Sequence, residues 1–137
     1  MNYFKRNFFG LSISIFISAT SVSAHSQECF DAALQYLSPG TAITICRGAA
    51  DATPVDCYAN AYENIGPSVA VTICSGSTSI NGPADCFESL ENSLGPSIAV
   101  TLCHACTDQT EQQRRLDCYN SALSQLDPGG AARLCVN

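Results

Sequence analysis

Residues 86–103 read CFESLENSLGPSIAVTLC, and three other segments of the 137-residue chain follow the same pattern. Each segment begins and ends in cysteine with sixteen residues between, has an aromatic residue in second place and a proline in eleventh place. The starts are separated by 28, 29 and 32 residues, a spacing typical of repeat proteins. The four repeats occupy residues 29–46, 57–74, 86–103 and 118–135.

The first half of each repeat carries apolar residues one, four and eight places after its first cysteine. This spacing lines one side of an α-helix. We predict a helix that runs about eight residues from each first cysteine. Capping residues and first-turn prolines support helix entry, namely Thr53-Pro54, Gly82-Pro83 and, as a capping box, Thr110 with Gln113.

The second half is rich in β-branched residues and would suit a strand on composition alone. The recurring proline favours a helix, because proline at the first helical position loses no hydrogen bond and the residue before it belongs to the preferred N-cap set. Gly48 and Gly76 then predict left-handed helix ends. Each repeat is therefore predicted to be a helical hairpin in an all-α array, either a short solenoid or a closed cup. The N-cap residues are Ser38, Gly66, Gly95 and Asp127.

The hairpin geometry brings both cysteines of a repeat to its open end. We therefore predict four disulfides, each closing a loop that contributes on the order of 3 kcal/mol. An alternative joins neighbouring repeats, and the sequence leaves it open. The predicted pairs are Cys29–Cys46, Cys57–Cys74, Cys86–Cys103 and Cys118–Cys135, and the alternative pairs are Cys46–Cys57, Cys74–Cys86, Cys103–Cys118 and Cys29–Cys135.

The second helices of the middle repeats are apolar nearly all round, so they need burial on more than one side. The outer repeats carry Thr41, Thr44, Gly130 and Arg133 at comparable places, which suits the polar ends of a stack. Core burial is the usual fate of such apolar faces. Left uncovered, they would form a dimer or ligand surface made of Val69, Val71, Ile98 and Val100.

The N-terminus has the features of an export signal. Lys5 and Arg6 precede the apolar run 11–20, and Val22-Ser23-Ala24 offers a cleavage site. The run is too short to span a bilayer. We predict that residues 1–24 are removed and that residues 25–137 form one helical-repeat domain without a transmembrane segment. Nine cysteines in so short a chain indicate an oxidising compartment, secreted or periplasmic.

Removal of residues 1–24 leaves no lysine, four arginines, twelve carboxylates and a formal charge of −8. The absence of lysine argues against Walker-type, kinase and Schiff-base chemistry, and the negative charge argues against nucleic-acid binding. Arg114 and Arg115 are the sole basic pair, and we expect them on a solvated helix face.

Cys103-His104-Ala105-Cys106 has the cysteine spacing used for zinc ligation and thiol redox chemistry. Cys103 is predicted at a helix C-terminus, where a thiolate is disfavoured. We therefore expect no metal site and no catalytic residue, and expect Cys106 to be a spare thiol, free or bridging two chains. The alternative hypothesis is a thiol-redox or metal-binding protein centred on these three side chains.

Two further hypotheses concern other residues. His25 would become the first residue after cleavage, and it resembles the N-terminal histidine of copper-dependent polysaccharide oxidases, with His104 as the only second histidine. Glu88 and Glu91 lie one helical turn apart and could act as an acid and a base, although such pairs more often face solvent. We expect no cofactor.

The phrase LGPSIAVTLC at 94–103, with a Cys-aromatic pair before it, resembles the repeats of tandem cysteine-repeat proteins that bacteria export. The resemblance implies secretion and a helical disulfide fold, and it transfers no catalytic residue. The profile is also similar to small extracellular effectors of Gram-negative pathogens. We therefore expect a non-enzymatic binding protein whose partner is a protein, a glycan or a lipid, with a homo-oligomer as a further option.

Overall fold

The computed structural model describes residues 24–136, which are all-α. Each repeat forms a hairpin of two helices, as the cysteine and proline spacing predicts. The segments that could have been strands are helical. The helices are α1 (Ala24–Ala33), α2 (Pro39–Ile45), α3 (Thr53–Ile65), α4 (Pro67–Cys74), α5 (Gly82–Leu94), α6 (Pro96–Cys103), α7 (Gln109–Ala122) and α8 (Pro128–Leu134).

The joints within the hairpins are short. Gly66 alone separates α3 from α4, and Gly95 alone separates α5 from α6. Ser38 and Asp127 cap α2 and α8 through their side chains, which accept hydrogen bonds from helix N–H groups. The predicted N-cap positions of the four second helices are therefore confirmed.

The first helices of the inner hairpins start earlier than predicted. Helices α3 and α5 each have 13 residues because their first turns precede the cysteine. Thr53 and Gly82 lie inside these helices and do not cap them. The N–H of Thr53 donates to the carboxylate of Asp51 at 2.9 Å, and the N–H of Gly82 donates to Ser79 Oγ at 3.0 Å. Side chains of the linkers therefore accept hydrogen bonds from the first N–H groups of these helices.

The predicted capping box of the fourth repeat is wrong. Helix α7 begins at Gln109, and Asp108 is its N-cap. Asp108 Oδ1 accepts from the N–H groups of Thr110 and Glu111, both at 2.9 Å. An aspartate at this position also places its charge at the positive end of the helix.

The disulfides lie within the hairpins, with Cα–Cα distances of 5.5–5.7 Å. A short disulfide-closed loop of this kind holds together two helices that would barely form alone. The neighbour-linking alternative is not the one that the structure has. The four pairs are Cys29–Cys46, Cys57–Cys74, Cys86–Cys103 and Cys118–Cys135.

The hairpins stack in chain order. Each first helix contacts the first helix of the next hairpin, so that α1 contacts α3, α3 contacts α5 and α5 contacts α7. Each second helix likewise contacts the second helix of the next hairpin, in the order α2, α4, α6 and α8. The array is a short two-layered solenoid and not a closed cup. The fourteenth residue of every repeat is alanine with no exposed surface, which lets the helices approach closely; these residues are Ala42, Ala70, Ala99 and Ala131.

A backbone hydrogen bond recurs between successive hairpins. The carbonyl oxygen of Ile45 accepts from the N–H of Gly76 at 3.1 Å, and that of Ile73 accepts from the N–H of Ala105 at 2.7 Å. The acceptor is the seventeenth residue of one repeat, and the donor follows the last cysteine of the next repeat by two places. Both donors have positive φ, 67° at Gly76 and 50° at Ala105.

The ends of the stack are less polar than predicted. Thr44 and Arg133 are exposed as expected. However, six of the eight large apolar side chains exposed in the described residues belong to the outer hairpins, namely Leu34, Tyr36, Ile43, Leu123, Leu126 and Leu134. Within residues 24–136, no helix is both long and apolar enough to cross a membrane.

The linker at 106–107 lies very close to Gly82 at the start of α5. A Cβ on Gly82 would lie 2.5 Å from the carbonyl oxygen of Cys106 and would also overlap the carbonyl of Thr107. We expect Gly82→Ala to lower the free energy of unfolding by about 1–3 kcal/mol, because backbone has to move. Urea unfolding of the oxidised protein, followed by circular dichroism, measures this.

Gly40→Ala is the matched control for Gly82→Ala. Gly40 is also in the first turn of a helix, and a Cβ there has nothing within 4 Å. We expect its stability to be unchanged or higher by about 0.5 kcal/mol. Equal losses in both variants would contradict the close contact between Gly82 and the linker.

Candidate functional site

The cluster singled out by its cysteine spacing lies where α6 ends and the linker to α7 begins. Cys103 is the last residue of α6 and is bonded to Cys86. Its sulfur is therefore unavailable as a thiolate nucleophile or metal ligand in the oxidised protein. Ala105 continues the chain with the left-handed φ of 50°, and Cys106 follows.

Cys106 is a free cysteine with no exposed surface. Its Sγ donates to the carbonyl oxygen of Asp108 at 3.5 Å. Burial raises the pKa of the Cys106 thiol, and the nearby Arg115 guanidinium opposes that rise only in part. The thiol is thus kept protonated and shielded, so disulfide formation with a second chain requires the linker to open.

His104 is exposed beside this linker. Partial desolvation of its imidazole lowers the pKa of His104, and the Arg115 guanidinium lowers it further. No three side chains among histidine, cysteine, aspartate and glutamate come together as a metal site in the part of the chain that the structure describes. Because Cys103 is bonded to Cys86 and Cys106 is buried, Cys103 and Cys106 do not form a dithiol pair in the oxidised protein.

The expectation that both arginines of the basic pair face solvent is wrong for Arg115. Arg115 is only 5% exposed, and its Nη1 donates to the carbonyl oxygens of Leu102 and His104, both at 2.7 Å. Arg114, in contrast, has a side chain 60% exposed, as expected. Arg115 is buried because it satisfies carbonyl groups at the end of α6, where the preceding hairpins use a backbone N–H.

Glu111 completes this network. Its carboxylate accepts from the N–H and Oγ1 of Thr107, at 2.9 and 2.8 Å, and from Arg115 Nη2 at 2.6 Å. Partial burial alone would raise the pKa of Glu111, but the hydrogen bonds from Thr107 and Arg115 outweigh it and lower the pKa to about 2. Through these hydrogen bonds, Glu111 and Arg115 hold the linker against α7.

Glu111→Gln is expected to destabilise the protein by about 1–3 kcal/mol at neutral pH, since charge-assisted hydrogen bonds are lost. The pKa of Glu111 in the folded protein lies below the ordinary glutamate value of 4.5. The contribution of the ionised Glu111 is therefore fully present above pH 4.5 and is lost as pH falls toward about 2. The difference in the free energy of unfolding between wild type and Glu111→Gln should therefore decrease as the pH falls over that interval. Unfolding curves measured at several pH values give this difference.

Glu88→Gln removes an exposed carboxylate from α5 and serves as the control. We expect it to change stability by less than about 0.5 kcal/mol at every pH. A difference in the free energy of unfolding between Glu111→Gln and wild type that stays constant down to pH 2 would contradict the stabilising role of the ionised Glu111.

The remaining predicted site residues lie elsewhere. Val69, Val71, Ile98 and Val100 are partly buried and pack against the core, so only part of each is available to a partner. Glu88 is exposed and Glu91 is half-buried on α5. His25 belongs to α1, but its side chain lies outside what the structure describes, so the copper hypothesis stays a prediction.

Two structural features escaped the sequence predictions. The burial of Arg115 had one signal, because it stands three places before Cys118, where Pro54 and Pro83 are buried before their own cysteines. The alanine in fourteenth place of every repeat was visible in the alignment of the repeats.

No protein-family model, curated protein or solved structure matches this chain.

Proposed function

We propose that the protein is exported, loses residues 1–24 and acts as a non-enzymatic binding protein in the periplasm or outside the cell. Its partner is a protein, a glycan or a lipid surface. Membership of the exported tandem cysteine-repeat proteins, and a role as an extracellular effector, belong to the same proposal.

The observation that carries the proposal is one disulfide in each of four hairpins. Disulfides of this density persist in oxidising compartments and are rare in the reducing cytosol. Seven of the eight bonded cysteines are also buried, which protects them from reductants. Export is thus the simplest account of how the fold is made and kept.

The exposed apolar side chains support a binding role. Large exposed apolar patches on a soluble protein usually mark a recognition surface. In this protein such side chains concentrate on the outer hairpins, each of which is closed by a disulfide. A crosslinked hairpin has less conformational freedom to lose on binding than an open one. The buried, protonated Cys106 and the bonded Cys103 support a non-redox role.

The export part of the proposal is tested with the full precursor expressed in a Gram-negative host. We expect the protein in the periplasm or medium, with an N-terminus at His25 and an intact mass that shows four disulfides. Cytoplasmic retention with reduced cysteines would contradict the proposal.

The binding part is tested with oxidised mature protein and three probes: envelope-protein extract, a glycan array and anionic phospholipid vesicles. We expect saturable binding to one probe class and its loss after reduction and alkylation. An insulin-reduction assay should show no activity above the level of a Cys106→Ala variant. Reductase activity that depends on Cys106, or binding unaffected by reduction, would count against the proposal.

A further inference from the structure

Each hairpin of the stack contacts its neighbours through two different faces. The leading face faces the preceding hairpin and contains the second and fifteenth residues of a repeat. Tyr58 and Val71 are these residues in the second hairpin, and they line one groove with Leu37 and Thr41 of the first. The trailing face lies toward the following hairpin. We assign to it the first, fifth, ninth and seventeenth residues of a repeat, because each of these positions is less exposed in the first three hairpins than in the fourth.

Exposure at the two ends of the stack follows from these faces. At the fifteenth position, Ile43 in the first hairpin is 57% exposed, whereas Ala132 in the last is fully buried. At the seventeenth position the order reverses, because Leu134 in the last hairpin is 58% exposed and its equivalents are fully buried. Those equivalents are Ile45, Ile73 and Leu102. The first hairpin thus has a bare leading face, and the fourth has a bare trailing face within the described residues.

The bare trailing face is concave. It forms a groove of ≈ 440 Å³ lined by Cys118, Ala122, Leu126 and Leu134, with Ser121 and Gln125 at its polar positions. In the first hairpin the equivalents of Leu126 and Leu134 are Leu37 and Ile45, and the second hairpin packs on that side. Phe30 and Ile43 of the bare leading face are the equivalents of Tyr58 and Val71. The two ends therefore carry the two halves of the interface already present inside the stack.

The backbone groups that form hydrogen bonds at the first two junctions have equivalents at the two ends of the stack. Gly48 has a φ of 75° and stands two places after its last cysteine, as the donors Gly76 and Ala105 do. No hairpin precedes it in the described residues. The carbonyl of Leu134 is the equivalent of the acceptors at Ile45 and Ile73. A donor and an acceptor of the same kind thus stand at opposite ends.

We propose that the protein self-associates head to tail, with the bare leading face of one copy seated on the bare trailing face of the next. The partner is a second copy of this chain, because the complement of each end is the opposite end. Such a contact is heterologous and continues the linear stack, so it produces open oligomers that grow with concentration. The inference deepens the proposed binding function by naming one partner, and it rests on the same exposed outer hairpins.

The test uses oxidised mature protein in sedimentation velocity over a wide concentration range. We expect dimers and longer oligomers whose proportion rises with concentration. Ile43→Asp and Leu134→Asp should each weaken association by roughly tenfold or more, because a charge is placed in an apolar contact. Both side chains are more than half exposed, so the fold should tolerate the changes. Ile80→Asp alters an exposed apolar residue outside both faces and should leave association unchanged.

Mixing the two variants gives the decisive result. Ile43→Asp retains a trailing face and Leu134→Asp retains a leading face, so the mixture should form dimers and nothing larger. A monomer at every concentration would overturn the inference, as would loss of association in only one variant or no dimer in the mixture. Association that is seen only in protein that retains residues 1–24, and not in mature protein, would also overturn the inference. Correct export with a saturable partner, but no self-association, would leave the proposed function standing.

Discussion

Replacement of Arg115 by alanine is expected to lower the free energy of unfolding by about 3–5 kcal/mol, as removal of one partner from a buried charged network does. The carbonyl oxygens of Leu102 and His104 lose a donor at 2.7 Å, and Glu111 loses one at 2.6 Å. The junction between the third and fourth hairpins depends on these bonds. Urea unfolding of the oxidised variant, followed by circular dichroism, measures the loss.

Arg114→Ala is the control for this prediction. Arg114 is the preceding residue on the same helix, its side chain is 60% exposed, and its nearest contact with Glu111 is 3.6 Å. We expect a change of less than about 0.5 kcal/mol. Arg115→Lys should recover only part of the lost stability, because a lysine has no planar fork to serve both carbonyls. Similar effects of Arg114→Ala and Arg115→Ala would refute the structural role of Arg115.

Removal of one disulfide is the second large effect. The double variant Cys57→Ala, Cys74→Ala should lose about 2–5 kcal/mol, because the unfolded chain gains the entropy of an open loop and two short helices lose their crosslink. Both cysteines are fully buried in the centre of the stack. Guanidinium unfolding at a pH that suppresses thiol exchange gives the value.

Cys106→Ala is the control for the crosslink, since Cys106 is equally buried but forms no disulfide. It removes one sulfur atom from the interior and should cost about 1 kcal/mol. If the single and the double variant lost the same amount, the crosslink between Cys57 and Cys74 would not be what stabilises the hairpin.

The hairpins could be predicted because their determinants are local. The cysteines at both ends, the proline in eleventh place and the N-cap residue before it all lie within one repeat. The starts of the first helices could not be predicted as well, because the acceptors at Asp51 and Ser79 lie in linkers that share no pattern. Several linker residues compete for each helix N–H, and only the path of the chain selects one.

The features that decide the surface are not local. Arg115 is buried because carbonyls of the preceding hairpin face it, and its own repeat gives little sign of this. Leu134 and Ile73 occupy the same place in their repeats, yet one is 58% exposed and the other fully buried. The difference comes from the presence or absence of a following hairpin. The function is harder to predict from the sequence, because eight of the nine cysteines form disulfides and the side chains of Glu111 and Arg115 bond to the linker, so none of these residues points to one particular chemistry.

We propose that the protein is exported and is held together by one disulfide in each hairpin, with Cys106 as a shielded thiol. A thiol titration of protein purified from the periplasm or the medium, followed by peptide mapping without reduction, tests this proposal. We predict no reactive thiol in the folded protein, one after denaturation, and linked peptides that contain the two cysteines of each repeat. Eight or nine reactive thiols in well-folded protein, or a peptide that links Cys46 to Cys57, would contradict it.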